Sequence, residues 1–235
     1  LDNPNILHGK TIFVTGASGT LGRALLRKLY LKGATVVALT SQNQTLEHAI
    51  NGQTIPIRTL HWQVGQETGL AESLKEADIL ILNHGLNVYS QRTPQAIDQS
   101  YQINAFSQWR LLELFLETHP ASSQGSKSVW VNTSEAEVNP AFSPLYELSK
   151  RTLGDLVTLR RLDAPCIIRK LILGPFRSAL NPVGVMSGDW VAQQIIAQAE
   201  RGCRNIIVTV NPLTYLLFPP KEFLVSTYFR LLTKA

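Results

Sequence analysis

Tyr146 and Lys150 lie four residues apart in Ser143-Pro-Leu-Tyr-Glu-Leu-Ser-Lys150. On a helix that spacing puts both on one face, one turn apart. An ammonium held near a phenol favours the phenolate and lowers the tyrosine pKa, giving a proton donor and acceptor usable near neutral pH. Tyr-x-x-x-Lys also arises by chance on ordinary helix surfaces, so its meaning depends on what the chain brings beside it. Two features stand out: a glycine-rich turn near the N-terminus, and a hydroxyl-bearing Thr133-Ser134 pair shortly before the tyrosine.

The elements that would position these groups alternate along the chain. Strands are expected at 10–14, 34–40, 58–64, 78–82, 128–132, 166–173 and 205–210, each short, apolar and without strict alternation. Helical patterns occupy 23–31, 68–75, 97–117, 143–161 and 190–201. The second of these strands and the first helix are separated by Lys32-Gly33, a helix-stop signal. His119-Pro120 closes the 97–117 segment and 124–126 reads as a loop. Pro144 falls in the first turn of its helix, where proline is tolerated. Apolar strands alternating with helices predict a Rossmann-type, doubly wound parallel α/β sheet of about seven strands in one domain, covered on both faces. In such a sheet ligands bind beyond the carboxyl ends of the strands. Thr15–Gly22, Asn83–Gly85, Ser134 and Gly174–Ser178 all fall at strand ends, and the Tyr146 helix can flank the crevice they form.

The turn Thr15-Gly-Ala-Ser-Gly-Thr-Leu-Gly22 joins the first strand to the first helix. There the glycines let the backbone approach a pyrophosphate seated on the helix N-terminus. The second strand ends in Thr40, Ser41, Gln42 and Asn43, with no acid until Glu47. An acidic residue there would bind the 2′-hydroxyl of NAD and repel a 2′-phosphate, so its absence tilts the reading towards NADP over NAD. No arginine sits there either, and a polar loop indifferent to the cofactor is the plain alternative. His84 reads as a packed turn residue rather than a catalyst.

Composition narrows the classes. The chain has 235 residues, 44% hydrophobic and 17% charged, with a net charge of +5. The basic residues are scattered without aromatic interleaving, which argues against a nucleic-acid groove, while a mildly basic chain suits an anionic cofactor. Cys166 and Cys203 lack metal-type spacing and the five histidines form no ligand cluster; no metal site is expected, and a reducing, cytoplasmic setting is. No stretch reads as a signal peptide or a membrane span. A chain that starts at Leu1 is expected to be processed or part of something longer.

In order and in type, these features resemble the short-chain dehydrogenase/reductase family over residues 8 to 211. The resemblance implies a role for each matching position. Tyr146 resembles the general acid/base at the carbonyl. Lys150 resembles the group that lowers the tyrosine pKa and holds the nicotinamide ribose. Ser134, preferred to Thr133, resembles the serine that binds the substrate carbonyl. Asn104 resembles the asparagine of a water-linked proton relay. Gly16, Ser18, Gly19, Thr20, Leu21 and Gly22 match the phosphate turn, with Thr40 and Ser41 beside the adenosine ribose. Gln63 and Val64 stand where adenine is held, with glutamine in place of the family's aspartate. Asn83, His84 and Gly85 match the Asn-Ala-Gly element, with histidine for alanine. Gly174, Pro175, Phe176 and Ser178 match the nicotinamide-binding turn. The glycine spacing Gly-x-x-Gly-x-x-Gly is that of the family's extended and atypical branches, and Glu135 beside Ser134 is unusual.

The implied activity is NADP(H)-dependent interconversion of a carbonyl and an alcohol. The apolar loop at 179–190 favours a hydrophobic substrate. The competing reading is a catalytically silent NADP(H)-binding sensor or partner module. A homodimer through the Asn104 and Tyr146 helices is the family's default. Residues 212–235 form an apolar extension beyond a dinucleotide domain at 1–211. Pro219 and Pro220 are expected to break it, with a helix only from Lys221 onward. It could pack on its own domain or across a dimer, lie on a membrane surface, or contact another part of a longer polypeptide. The chain also resembles the reductase half of bacterial proteins fused to a sterol-desaturase or fatty-acid-hydroxylase-like membrane segment.

Overall fold

A computed structural model describes residues 6–50, 53–118 and 127–233. The expected closures at 119–120 and 124–126 lie outside the described residues. Seven parallel strands form one sheet in the order β5-β2-β1-β6-β7-β8-β9. They are β1 (Thr11–Thr15), β2 (Thr35–Thr40), β5 (Arg58–His61), β6 (Ile79–Leu82), β7 (Ser128–Asn132), β8 (Ile167–Leu173) and β9 (Asn205–Val208). The chain moves outward from β1 through β2 to β5, then returns to place β6 on the other side of β1. That reversal opens a crevice at the carboxyl ends of β1 and β6.

Two apolar layers cover the sheet. On one face α1 (Thr20–Leu31) and α6 (Gly188–Glu200) pack Leu25, Leu29, Ile195 and Ala199 against Ile12, Val14 and Ile206. On the other, α4 (Ser107–Glu117) and α5 (Pro144–Arg160) pack Leu112, Phe115, Leu153 and Val157 against Phe13, Leu80 and Val129. Burial on both faces is why the strands read as apolar runs rather than alternating ones. α2 (Ala71–Leu74) continues a 3₁₀ turn at Glu67–Leu70, so the expected 68–75 helix is two short pieces.

Three elements depart from the sequence-based expectation. First, β3 (Glu47–Ile50) and β4 (Gln53–Pro56) pair as an antiparallel hairpin after β2, outside the main sheet. Second, the 97–117 segment starts at Pro94 and is interrupted. α3 (Pro94–Tyr101) passes through a π-helical turn, Gln102–Phe106, before α4. Third, Pro219 and Pro220 do not break the C-terminal segment, because α7 runs unbroken from Pro212 to Leu232. Each internal proline forfeits a helical hydrogen bond, at a cost of about 3 kcal/mol. Both prolines lie on the exposed side, as do Tyr215 and Leu216, four residues earlier, so water can reach the carbonyls they release. Thr214, Phe218 and Glu222, at helical spacing, bury one stripe and hold the segments before and after the prolines to the domain.

Candidate active site

The glycine turn is set by close approach. Gly16 has φ +60°, and a Cβ there would meet the His84 Cα at 2.9 Å. At Gly22 a Cβ would fall 2.2 Å from the Gly16 carbonyl oxygen. Only glycine lets the turn fold this tightly under the N-terminus of α1. No side chain caps that helix and no acid occupies its first turn, so its first N–H groups suit a phosphate. Thr15, the last residue of β1, braces the neighbouring strand end. Its hydroxyl accepts from the Asn83 N–H (2.8 Å), donates to the Ile81 carbonyl and lies 2.9 Å from His84 Nδ1.

His84 is a packed turn residue, as expected. Its ring sits edge-on to Trp62, 5.2 Å between centroids. Burial, and next the Lys150 cation, depress its pKa to about 3, so it stays neutral. Its backbone carbonyl accepts from Gln108 Nε2 at 2.7 Å.

Tyr146 lies in the first turns of α5, which begins at Pro144 with Glu147 reaching back to the Ala141 N–H at 2.8 Å. The Ser134 side chain acts on the tyrosine hydroxyl, favouring its ionised form. Ser134 follows β7 and holds φ +74°, a left-handed conformation that costs a non-glycine residue about 1–3 kcal/mol. Its hydroxyl also accepts from the Ala136 N–H at 3.3 Å. Thr133, fully buried, lies instead beside the Glu137 carboxylate. Of the two hydroxyls, Ser134 is therefore the one that acts on the tyrosine.

Lys150 is almost wholly buried and its Nζ lies 5.9 Å from the centre of the Tyr146 ring. Among the described residues its ammonium donates one hydrogen bond, to the Asn132 carbonyl at 2.7 Å. Burial pulls its pKa down to about 7, against the weaker opposing pull of Glu137. The tyrosine departs from expectation. Burial pushes the phenol up, the Ser134 side chain only partly offsets this, and the Glu135 carboxylate adds to the rise. Without a further positive charge, the site does not yield a phenolate near neutral pH.

Asn104, fully buried in the π-helical turn, spends its side chain on positioning. Its Oδ1 accepts from the Leu86 N–H (2.7 Å), and its Nδ2 donates to the Leu86 carbonyl (2.9 Å) and to Ser149 on α5 (3.1 Å). It ties the turn after Gly85 to the Tyr146 helix.

Glu135 finds its partners away from the crevice. Its Oε2 accepts from Thr209 at 2.7 Å and Thr214 at 2.8 Å, fastening the start of α7 to the end of β9. At the β2 end, Thr40 donates to Ser18 at 3.2 Å, and Ser41 is exposed. Arg23, which the sequence reading left out, donates from Nε to the Ser18 carbonyl at 2.9 Å. It lines a cavity of about 750 Å³ together with Thr20, Arg27, His48, Arg177 and Ser178. That cavity borders the glycine turn and the Gly174–Ser178 turn and runs out to the hairpin; Tyr146 and Ser134 lie outside its walls. Gln63 and Val64 are exposed just past β5. Gly174 is fixed by Thr209, whose Oγ1 would lie 2.2 Å from a Cβ there, and Phe176 pairs with Met186 across the following loop. Among the described residues no cluster of histidine, cysteine or carboxylate side chains could hold a metal ion.

The turn, the uncapped helix and the buried lysine with donors to spare fit a dinucleotide bearing a pyrophosphate and ribose hydroxyls. Comparison with known proteins points the same way. The family described as short chain dehydrogenase matches residues 10–165. The chain is 58% identical over 229 residues to the monoglucosyldiacylglycerol epimerase of Synechocystis, covering 97% of this chain and 56% of that protein. It thus spans little more than half of that relative. A short chain dehydrogenase from Burkholderia cenocepacia in complex with NADP superposes with a TM-score of 0.77 at 18% identity, over 97% of this chain and 99% of that one. The bulky-bulky ketone specific alcohol dehydrogenase of Comamonas testosteroni gives a TM-score of 0.76 at 18% identity, over 92% and 94%.

Proposed function

We propose, from the premise that the chain belongs to the short-chain dehydrogenase/reductase family, that it is the NADP(H)-dependent catalytic unit of an epimerase acting on a lipid-linked sugar. In this reading the reaction passes through a carbonyl. A bound nicotinamide would supply the acceptor, and then the donor, of a hydride. One carbinol carbon would give up its hydrogen as hydride and its hydroxyl proton to Tyr146 in its phenolate form, favoured by a Lys150 ammonium recharged on ligand binding, leaving a ketone. Hydride returns to the opposite face and Tyr146 returns the proton, so the centre is inverted with no net oxidation.

The residues divide the work. Ser134 hydrogen-bonds the substrate oxygen and favours ionisation of the Tyr146 hydroxyl. Lys150 holds the ribose hydroxyls with the donors that Asn132 leaves free. Asn104 keeps the turn after Gly85 registered on α5. The phosphate turn, Gln63, Val64 and the Gly174–Ser178 turn line the length of the cofactor. NADP over NAD is supported by the acid-free β2 end and by Arg23, anchored at Ser18 where the Thr40 hydroxyl also meets the turn. The fold makes the silent-module reading the weaker one, since Tyr146, Ser134 and Lys150 are brought together rather than scattered.

The observation that carries the proposal is the buried Lys150, one helical turn from Tyr146 with its Nζ 5.9 Å from the tyrosine ring centre, at the carboxyl ends of the strands. The test is conversion of monoglucosyldiacylglycerol in detergent micelles with NADP, resolving the two epimers. Tyr146→Phe should lower turnover by about 10³-fold or more while cofactor affinity changes by less than about threefold. Full turnover by that variant would remove the tyrosine from the chemistry.

A further inference from the structure

We propose that three loops at the mouth of the crevice form a rim that docks on the surface of an anionic lipid bilayer. This rests on the glycolipid reading above. The rim consists of residues 86–93, 140–143 and 177–187, which follow β6, precede α5 and follow β8. All three therefore stand at the carboxyl end of the sheet, around Tyr146.

Hydrogen bonds join the loops into one surface. Ser143, buried, donates to Asn87 Oδ1 at 2.7 Å and approaches the Tyr89 carbonyl at 3.2 Å. Asn87 Nδ2 and the Tyr89 hydroxyl reach across to the carbonyls of Leu180 and Ala179, each at 3.4 Å. Among the exposed polar residues of the rim stand large apolar side chains. Phe142 is 97% exposed, Val183 86% and Val185 69%, with Tyr89 beside them at 52%. Phe142 also holds φ +54° and Tyr89 φ +53°. A bulky aromatic residue in that region is strained, and glycine or asparagine would fit it better in water. Strain and exposure together suit a ring that has an apolar destination.

Charge selects the destination. The three loops contain two exposed arginines, Arg92 and Arg177, the second also in the wall of the cavity at the glycine turn, and no aspartate or glutamate. Aromatic and aliphatic side chains interleaved with arginine suit the headgroup boundary of an anionic bilayer. A sugar on a diacylglycerol lies at that boundary, so a protein docked by this rim would meet its substrate without extracting the lipid.

Co-sedimentation with vesicles tests this, using phosphatidylcholine with and without phosphatidylglycerol. The protein should bind the anionic vesicles, and less tightly as salt is raised. Phe142→Ser/Val183→Ser should lower the bound-to-free ratio at least about tenfold. NADPH affinity, read by fluorescence titration, should stay unchanged, which shows the variant folded. Phe142→Trp should give an indole emission that shifts to the blue on anionic vesicles and is quenched by brominated lipid. Full vesicle binding by the double serine variant would overturn the proposal. So would loss of binding only on changing exposed residues of α7, as in Leu224→Ser/Tyr228→Ser, or a rim covered by a second copy of the chain, seen as a dimer that Phe142→Ser dissociates. Rim-dependent docking without conversion of the glycolipid would refute the epimerase reading and leave the docking surface standing.

Discussion

Glu222→Gln should destabilise the whole domain, although Glu222 lies in the C-terminal helix far from the sequence motifs. Its carboxylate belongs to a buried charge cluster linking α7 to the segment that carries Ser134. Oε2 accepts from Lys170 at 2.7 Å and from Thr158 at 3.0 Å, and Oε1 accepts from Arg161 at 2.9 Å. Lys170, completely buried on β8, also donates to Glu137 at 3.0 Å; Lys221 in turn bridges Glu137 and Asp155. The three cations and three anions balance. Burial would raise the Glu137 carboxyl, but Lys170 and then Lys221 hold it below its ordinary value. Removing one anion while keeping its shape leaves Arg161 short of its carboxylate and Lys170 with Glu137 alone. Breaking a buried pair costs about 3–5 kcal/mol. Because Glu137 remains, about 3 kcal/mol is expected, which for a chain of this size lowers Tm by about 6–12 °C. Thermal and urea unfolding measure it. Glu72→Gln, which removes a highly exposed partner of Lys75, is the control and should cost less than about 0.5 kcal/mol. Lys170→Met/Glu222→Met should cost less than the sum of its single changes, because it leaves no unpaired buried charge between them. A loss below about 0.5 kcal/mol for Glu222→Gln, or strict additivity in the double variant, would refute the coupling. The same cluster leads us to expect that a chain ending at residue 211 does not fold stably.

Three further outcomes follow from the site. His84 titrates at about 3 in the fold against an ordinary 6.5, so the unfolded chain takes up a proton that the fold refuses. Its contribution is complete above pH 6.5 and is lost as pH falls from there to about 3, by about 5 kcal/mol in all; the slope of urea stability against pH in that window should flatten in His84→Gln. Lys150, depressed to about 7 by burial, is mostly neutral at pH 8 until a ligand recharges it, so NADP binding there should take up about one proton. Calorimetry in buffers of different ionisation enthalpy reads this, and Lys150→Met should abolish the uptake. Gly22→Ala forces a Cβ within 2.2 Å of the Gly16 carbonyl oxygen and should weaken NADP binding at least about tenfold, read by titration.

The sequence displays most of the frame because buried parallel strands are short apolar runs, and a strand-glycine-helix junction has few alternatives. The strands at 78–82 and 128–132 differ from β6 and β7 by one residue at most. What it conceals depends on partners distant in the chain. β3 and β4 have too few apolar residues to signal a strand, and pair only with each other. The π-helical turn at Gln102–Phe106 has no propensity signature; Asn104 is held there by Leu86 and Ser149, one on a loop and the other on another helix.

The same distinction explains both the tyrosine and the acid that looked out of place. The four-residue spacing correctly brings Lys150 beside Tyr146, but spacing carries no information about burial. Burial raises the phenol and depresses the lysine at once, so the unliganded pair stores its chemistry in the neutral form of both groups. Glu135, one residue from Ser134, is unusual for the family in the sequence. In the fold its carboxylate is consumed by Thr209 and Thr214, and its charge opposes ionisation of Tyr146. A Lys150 ammonium recharged by a bound ligand would oppose that rise, so a phenolate is expected only with a ligand that restores the lysine's charge, and not from the four-residue spacing alone.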